Sequence, residues 1–506
     1  MSTSNAVTSR DAEALAATIA GDVVAAPDDG YDEARRAWNL SVDQRPAVVV
    51  FAESAEDVTR AVQFARSHEL RIAPQGTGHG SLPLEPLEGT MLLKTSRMRR
   101  VDIDPAARTA RAEAGALWHD VTVRAAGHGL AALAGSSAVV GVTGYTLGGG
   151  IGWLTRRYGL AASSVTAAEI VTADGRLVRA DPANEPDLLW AIRGGGGLGV
   201  VTGLEMSLYP VAELYAGALF FPIARAAEVL PAWREWTATV PDEVTSLCAI
   251  MRFPPIPDVP EFARGRHFAV LEAACIADEA AGARLISPLR ALGPELDTFA
   301  VIAAPELGHI HMDPEQPVPY QGDGVLLADL PAAAIDAVLS QAGPDADTPL
   351  LMVEIRHLGG AAARPAADGG ALANIDAGFM MYANGFTPTQ ELAEAVRADA
   401  RAVKDALTPW RAAYDYYNLV ETPADAGTVL PDTAYHRLQE IKAAWDPGQV
   451  IVSAHPVQLA AHLAAEPVTA GGCSEAEDAL GVAVSDLLPV GVAERGPFEP
   501  GHGVVA

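Results

Sequence analysis

Cysteine is scarce. The chain of 506 residues has three, Cys248, Cys275 and Cys473, far apart and without a CxxC spacing. This argues against a disulfide framework and a thiolate metal site, and makes a reducing cytoplasm the expected location. Basic side chains are also few, 35 against 64 acidic ones, for a formal charge of −29. That sign is wrong for nucleic acid phosphates or anionic lipid, so a small molecule is the expected ligand. No run of about 18 apolar residues occurs, which argues against a spanning helix. Asp11, Glu13 and Asp22 interrupt the apolar stretch that a signal peptide needs. Length alone predicts two domains or more.

Glycine, by contrast, is clustered. Asp11–Ala20 has helical spacing and stops at Gly21. PAVVVFAES (46–54) reads as a buried strand, AEDVTRAVQFARSHEL (55–70) as an amphipathic helix, and RIAP (71–74) as a second strand. PQGTGHG (74–80) therefore leaves a strand of an α/β unit, a common position for a phosphate-binding turn. Two further glycine runs follow, GVTGYTLGGGIGWL (141–154) and RGGGGLGVVTGLEMSLYPV (193–211). Glycine lets backbone N–H groups approach a phosphate with no Cβ in the way. GGGIG is not set between a first strand and a helix with an acid about 20 residues on, so a nicotinamide-type fingerprint is disfavoured.

The pattern changes after Val211, and a second domain is expected to begin near residue 215. LLMVEIRHL (350–358), AGFMMYANG (377–385) and AAYDYYNLVE (412–421) read as strands, and 432–445 as a helix. Period-two geometry puts Met352, Glu354 and Arg356 on one face and Val353, Ile355 and His357 on the other, leaving open which face lines a cavity. It also groups Tyr414, Tyr416 and Asn418. The tail is rich in Pro, Gly and acid, with one candidate capped helix at Ser474–Glu477.

The order of PQGTGHG, SSAVVGVTGYTLGGGIGWLTRRYGL, TADG, DLLWAIRGGGGLGVVT, YYN and RLQEIKAAWDPGQV resembles the FAD-linked oxidases of the vanillyl-alcohol-oxidase superfamily, and within it the branch like berberine bridge enzyme. The resemblance covers residues 20–457. It implies an α+β fold with an FAD-binding α/β domain (1–215, completed by 430–457), a substrate domain on an antiparallel sheet covered by helices (216–429), and a C-terminal extension (458–506), disordered or a lid. FAD is the implied cofactor. Gln75, Gly76, Thr77, Gly78 and Gly80 would wrap its pyrophosphate, and His79 would be bonded to the flavin 8α-methyl carbon. Gly78 and Gly80 would keep side chains out of the way of that bond. Ser137, Gly141, Gly144, Gly148, Gly149, Gly150, Gly152, Gly199, Val200, Val201 and Asn418 would complete the cofactor contacts. Two departures stand out. Gln75 sits where arginine is usual, and Ser137 where many relatives carry a second, cysteinyl attachment, so a single bond at His79 is expected.

The resemblance further implies that Tyr416 faces the substrate as the base while hydride passes to flavin N5. An ordinary tyrosine has a pKa of about 10, so the site would have to lower it, and the sequence names no partner for that. Arg356, His357, Met380 and Tyr382 lie where substrate-facing strands run, although core packing explains each equally well. The implied activity is oxidation of a CH–OH or CH–NH group, with oxygen as acceptor and peroxide as product, in secondary metabolism. A slight lean goes to a compact or hydrophobic substrate over an oligosaccharide. A flavin dehydrogenase and a non-redox flavoprotein are the alternatives. Expected partners are a small organic substrate and oxygen, with no nucleic acid or membrane, and a homodimer is compatible. His309 and His311 in GHIHMD have the spacing of a metal pair but no visible third ligand, so they are read as a loop or sheet detail. Arg156, Arg157 and Tyr158 are expected near the FAD-domain surface without an assigned role.

Overall fold

The computed structural model describes residues 7–26, 28–84, 86–257 and 259–460. Cys473, the candidate helix at Ser474–Glu477 and nearly all of the 458–506 extension lie outside them. The described chain is α+β, with three sheets.

The first sheet contains the predicted strands. Its order is Asp22–Ala25, Val48–Phe51, Thr90–Lys94 and Arg71–Gln75, and the last three run parallel. Val48 and Val50 pack with Val58, Ala61, Val62 and Ala65 of the helix Ala55–Ser67, whereas Val49 packs on the other face with Ala73 and Leu92. A continuous apolar run is what a parallel strand covered on both faces requires. The helix starts at Ser54, whose hydroxyl accepts the Asp57 N–H at 3.1 Å. It ends three residues short of Leu70, because Glu69 adopts a φ of 55°. Late in the chain, Ile72 and residues 450–452 exchange two backbone hydrogen bonds of 2.8 Å, so this segment extends the same sheet.

A second sheet of five antiparallel strands follows the order Val101–Asp104, Thr109–Glu113, Gly199–Ser207, Val165–Thr172 and Leu177–Ala180. The third has eight antiparallel strands, with Val244–Arg252, Met352–His357, Phe379–Phe386 and Tyr320–Leu327 adjacent in that order. On one face Val353, Ile355, Met381 and Ala383 pack under the helices Ala226–Thr237, Glu279–Arg290, Ala332–Ala342 and Gln390–Ala406. On the other, Met352 and Tyr382 meet Trp153, Leu154 and Leu133 from the amino-terminal half. The face question is thereby answered: Met352, Glu354 and Arg356 look toward the glycine-rich segments. No described helix is long and apolar enough to cross a membrane.

One predicted strand is absent. Residues 412–416 are irregular, and Tyr417–Leu419 forms a turn of 3₁₀ helix. The β-rich composition of AAYDYYNLVE is overridden by tertiary contacts to the GGGIG turn.

Candidate flavin site

PQGTGHG leaves the carboxyl end of a parallel strand, the edge at which open α/β sheets hold ligands. Its glycines divide into two kinds. Gly78 has a φ of 88°, and a Cβ there would lie 2.5 Å from Gln75 Nε2 and 2.8 Å from Ala37 Cβ, so backbone and packing both demand glycine. Gly80 faces open space, and Gly76 is uncrowded, a Cβ there lying 3.6 Å from the Ala114 carbonyl and 3.9 Å from Thr95 Oγ1. The expectation that Gly78 clears a path to His79 is therefore revised: Gly78 shapes the turn.

His79 stacks on Trp38, ring centroids 4.0 Å apart at 18°. Its Nδ1 lies 2.8 Å from Thr77 Oγ1, and its carbonyl accepts the Tyr320 hydroxyl at 2.9 Å. Nε2 is sealed from solvent and has no partner among the described residues. Burial pushes the imidazole pKa down to about 3, so the ring is neutral. Gln75 is buried and its Nε2 donates to Gln44 Oε1 at 3.4 Å; its own Oε1 and Gln44 Nε2 have no partner among the described residues. Unsatisfied polar atoms together with open glycines form a cradle suited to a polar ligand, and they fit FAD.

GGGIG is pressed against the YYN segment. A Cβ on Gly148 would lie 1.8 Å from Asn418 Oδ1, one on Gly150 2.5 Å from Tyr145 Cε1, and one on Gly152 1.8 Å from the Ala134 carbonyl. Through this approach the Tyr416 oxygen accepts the N–H groups of Gly150 at 2.9 Å and Ile151 at 3.1 Å, and the Asn418 amide at 3.1 Å. Asn418 is anchored in turn on the Tyr145 carbonyl at 2.9 Å. The structure thus joins Tyr416 and Asn418, as expected, but through a turn. Burial raises the phenol to about 12; Gly150, Asn418, Ile151 and the nearby Arg356 all work to lower it.

The other expected cofactor residues are scattered around these two loops. Gly141 touches Thr77, with a built Cβ 3.4 Å from Thr77 Cγ2, and Gly144 faces open space. A Cβ on Gly149 would lie 2.8 Å from Leu372 Cδ2 and 3.2 Å from Tyr416 Cε2. Gly199, Val200 and Val201 belong to a strand whose valines are core, so only their backbone is free to meet a ligand. Ser137 lines a small cleft with Trp118, Leu154 and Leu307.

Arg356 Nε donates to Glu354 Oε1 at 2.9 Å, and its Nη2 lies 3.5 Å from Ser136 Oγ. Glu354 Oε2 is 3.5 Å from His311 Nε2, whose Nδ1 is 2.8 Å from Glu272 Oε2. Burial would lower the His311 pKa, but Glu272, Asp313 and Glu354 outweigh it and raise the value to about 10. His309 is exposed and faces Glu315 at 3.9 Å, so the two histidines part company. The Tyr382 hydroxyl donates to Glu421 Oε1 at 2.9 Å. Burial pushes Glu421 up to about 8, against its bond from Tyr382, and its Oε2 has no partner among the described residues.

Two expectations are corrected. His357 lies on the helix-covered face, where it stacks with Phe379 and its Nε2 is 3.0 Å from Arg156 Nη1; a substrate role does not follow from this position. Arg156 is buried, 5% exposed, because Nε donates to the Val244 carbonyl at 2.7 Å and Nη1 to that of Leu358. Trp38, Tyr320 and Glu421 escaped the sequence reading. Of these, only Glu421 carried a local signal, three residues past Asn418.

Residues 46–181 match the FAD binding domain family. An uncharacterised FAD-linked oxidoreductase of Bacillus subtilis is 32% identical over 234 residues, 45% of this chain and 52% of its own length. The (R)-6-hydroxynicotine oxidase of Paenarthrobacter nicotinovorans is 36% identical over 193 residues, 38% of this chain and 42% of its own. The chain spans about half the length of the curated relatives it matches. In fold, the solved berberine-bridge-like protein 1 of Physcomitrella patens matches at a TM-score of 0.77 and 18% identity, over 89% of this chain and all of that one. The fold and site thus define an FAD-binding flavoprotein. Residues 46–181 carry the FAD binding domain, and over 89% of its length the chain shares the fold of the berberine-bridge-like protein.

Proposed function

We propose that the protein is an FAD-dependent oxidase that removes hydride from a carbon bearing an alcohol or amine of a small organic molecule, with oxygen as final acceptor and hydrogen peroxide as product. The observation that carries this reading is the Tyr416 oxygen, which accepts three N–H groups. These donors and the nearby Arg356 stabilise negative charge on that oxygen, against the burial that holds the phenol at about 12. FAD, when bound, supplies the two-electron acceptor. Tyr416 receives the hydroxyl or amine proton, Asn418 and the 150–151 backbone hold its oxygen in place, and the Met352–Glu354–Arg356 face lines the substrate side. Glu421, hydrogen-bonded by Tyr382, is a second group in the same region able to hold a proton.

We further propose that the flavin is tethered covalently, once, at His79. With Nδ1–H donating to Thr77 Oγ1, the Nε2 lone pair is left free to bond the 8α-carbon; a methyl proton would leave as the C–N bond forms, and oxygen would take up the electron pair. Ser137 cannot form the second bond. Among relatives, the name of the hydroxynicotine oxidase is in keeping with a compact amine as substrate.

Anaerobic mixing with a panel of sugars, phenolic alcohols and heterocyclic amines, followed by absorbance of the flavin, tests the reading. A substrate should bleach it and yield one peroxide per turnover in air. Peroxide near zero would make the protein a dehydrogenase, and no bleaching together with very slow reoxidation after photoreduction would favour a non-redox role.

A further inference from the structure

The chain has only three lysines, and they are not equivalent. Lys404 lies 3.0 Å from Asp323, and Lys442 2.9 Å from Asp446. Lys94 has no carboxylate within salt-bridge distance among the described residues. It ends the strand Thr90–Lys94 and is the direct cross-strand partner of Gln75, so the two side chains leave the same face at the carboxyl edge of the parallel sheet. Lys94 is 9% exposed; its Nζ donates to the Arg36 carbonyl at 2.7 Å and sits 5.3 Å from the Phe51 ring centroid. An ammonium has three donors, and a buried one without an anion is costly. Burial pushes its pKa down to about 8, against the more distant attraction of Glu33. In the same corner, Gln75 Oε1 and Gln44 Nε2 have no partner among the described residues, and Gly76 is uncrowded.

We infer that Lys94 is an anion-binding residue for the cofactor's pyrophosphate, returning from the neighbouring strand the positive charge that Gln75 does not provide. The inference rests on the reading of PQGTGHG as the flavin loop. It differs from a purely structural role, in which Lys94 only ties down the Arg36 carbonyl and so keeps Trp38 on His79.

FAD and riboflavin separate the two roles, since riboflavin has the same ring system and no phosphate. In full-length His79→Ala protein stripped of flavin, where affinity is measurable, Lys94→Met should weaken FAD about 10- to 100-fold. Riboflavin affinity should change less than about twofold, and Lys94→Arg should stay within about threefold of the parent for FAD, because the charge is kept. The fall in FAD affinity with added salt should be shallower in Lys94→Met. Equal weakening of FAD and riboflavin, or unchanged FAD affinity, overturns the inference. Circular dichroism and the melting midpoint of the flavin-free variants identify a folding failure, in which case Lys94→Gln and Lys94→Arg decide: FAD affinity must drop with the first and hold with the second. If neither the wild type nor His79→Ala binds FAD or riboflavin, the flavin reading itself falls, and the inference with it.

Discussion

His79 and His311 each keep ring nitrogens away from water, yet their charge is opposite. Around His79 stand Trp38, Thr77 and glycine backbone, with no ion pair among the described residues, and desolvation leaves the imidazole neutral, at about 3. Around His311 stand Glu272, Glu354 and Asp313, and the ring is held as imidazolium to about 10. Burial is common to both; the carboxylates make the difference. A neutral ring with a free nitrogen suits bond formation, while a charged one between two acids suits fixing Glu354, and through it Arg356, in place.

The strongest way to break this contrast is His79→Ala. Acid-precipitated wild type should keep its yellow colour in the pellet, and the variant should release all of it; a colourless wild-type pellet would falsify the tether. Next is Tyr416→Phe, expected to slow anaerobic flavin reduction by at least ~100-fold. Near-normal reduction would remove Tyr416 from the mechanism and turn attention to Glu421. Third, His311→Gln takes one partner from a buried ion pair and should cost about 3–5 kcal/mol in urea unfolding at neutral pH.

The pH dependence sharpens the contrast, because the two signs differ. With its folded pKa raised to about 10, His311 contributes fully below its ordinary value near 6.5 and loses that contribution as pH rises through 10. His79, depressed to about 3, has the reverse sign: flavin-free protein should lose stability as pH falls from 6.5 toward 3, and His79→Ala should lose less. The smallest expected effect is at Glu421. Its folded pKa near 8 means that stability falls as pH rises from about 4.5 through 8, and Glu421→Gln should flatten this fall.

The sequence makes local chemistry legible and distant pairing opaque. The three glycine clusters, the helix over Ala55–Ser67 and the strand pairs at 352–357 and 379–386 follow from composition and period, and they appear within a few residues of where those place them. Tyr416 and Asn418 meet because they are two residues apart, although the backbone between them bends into a 3₁₀ turn; the juxtaposition was readable and its cause was not. Tyr320 is 241 residues from His79, and nothing local marks it. Arg156 looks like a surface arginine in RRY and is instead spent on carbonyls of Val244 and Leu358, which only the packed sheets bring near. Ionisable side chains are misjudged most easily, since their state is set by neighbours that sequence order hides.

The single bond from the Tyr320 hydroxyl to the His79 carbonyl bears on modular redesign. The strand Tyr320–Leu327 pairs along its length with Phe379–Phe386, which carries Tyr382. A chimaera that exchanges the segment holding this strand to change substrate range would also import the residue that braces the loop proposed to carry the tether. Donor choice is therefore governed first by the side chain arriving at position 320, ahead of any match to the new substrate.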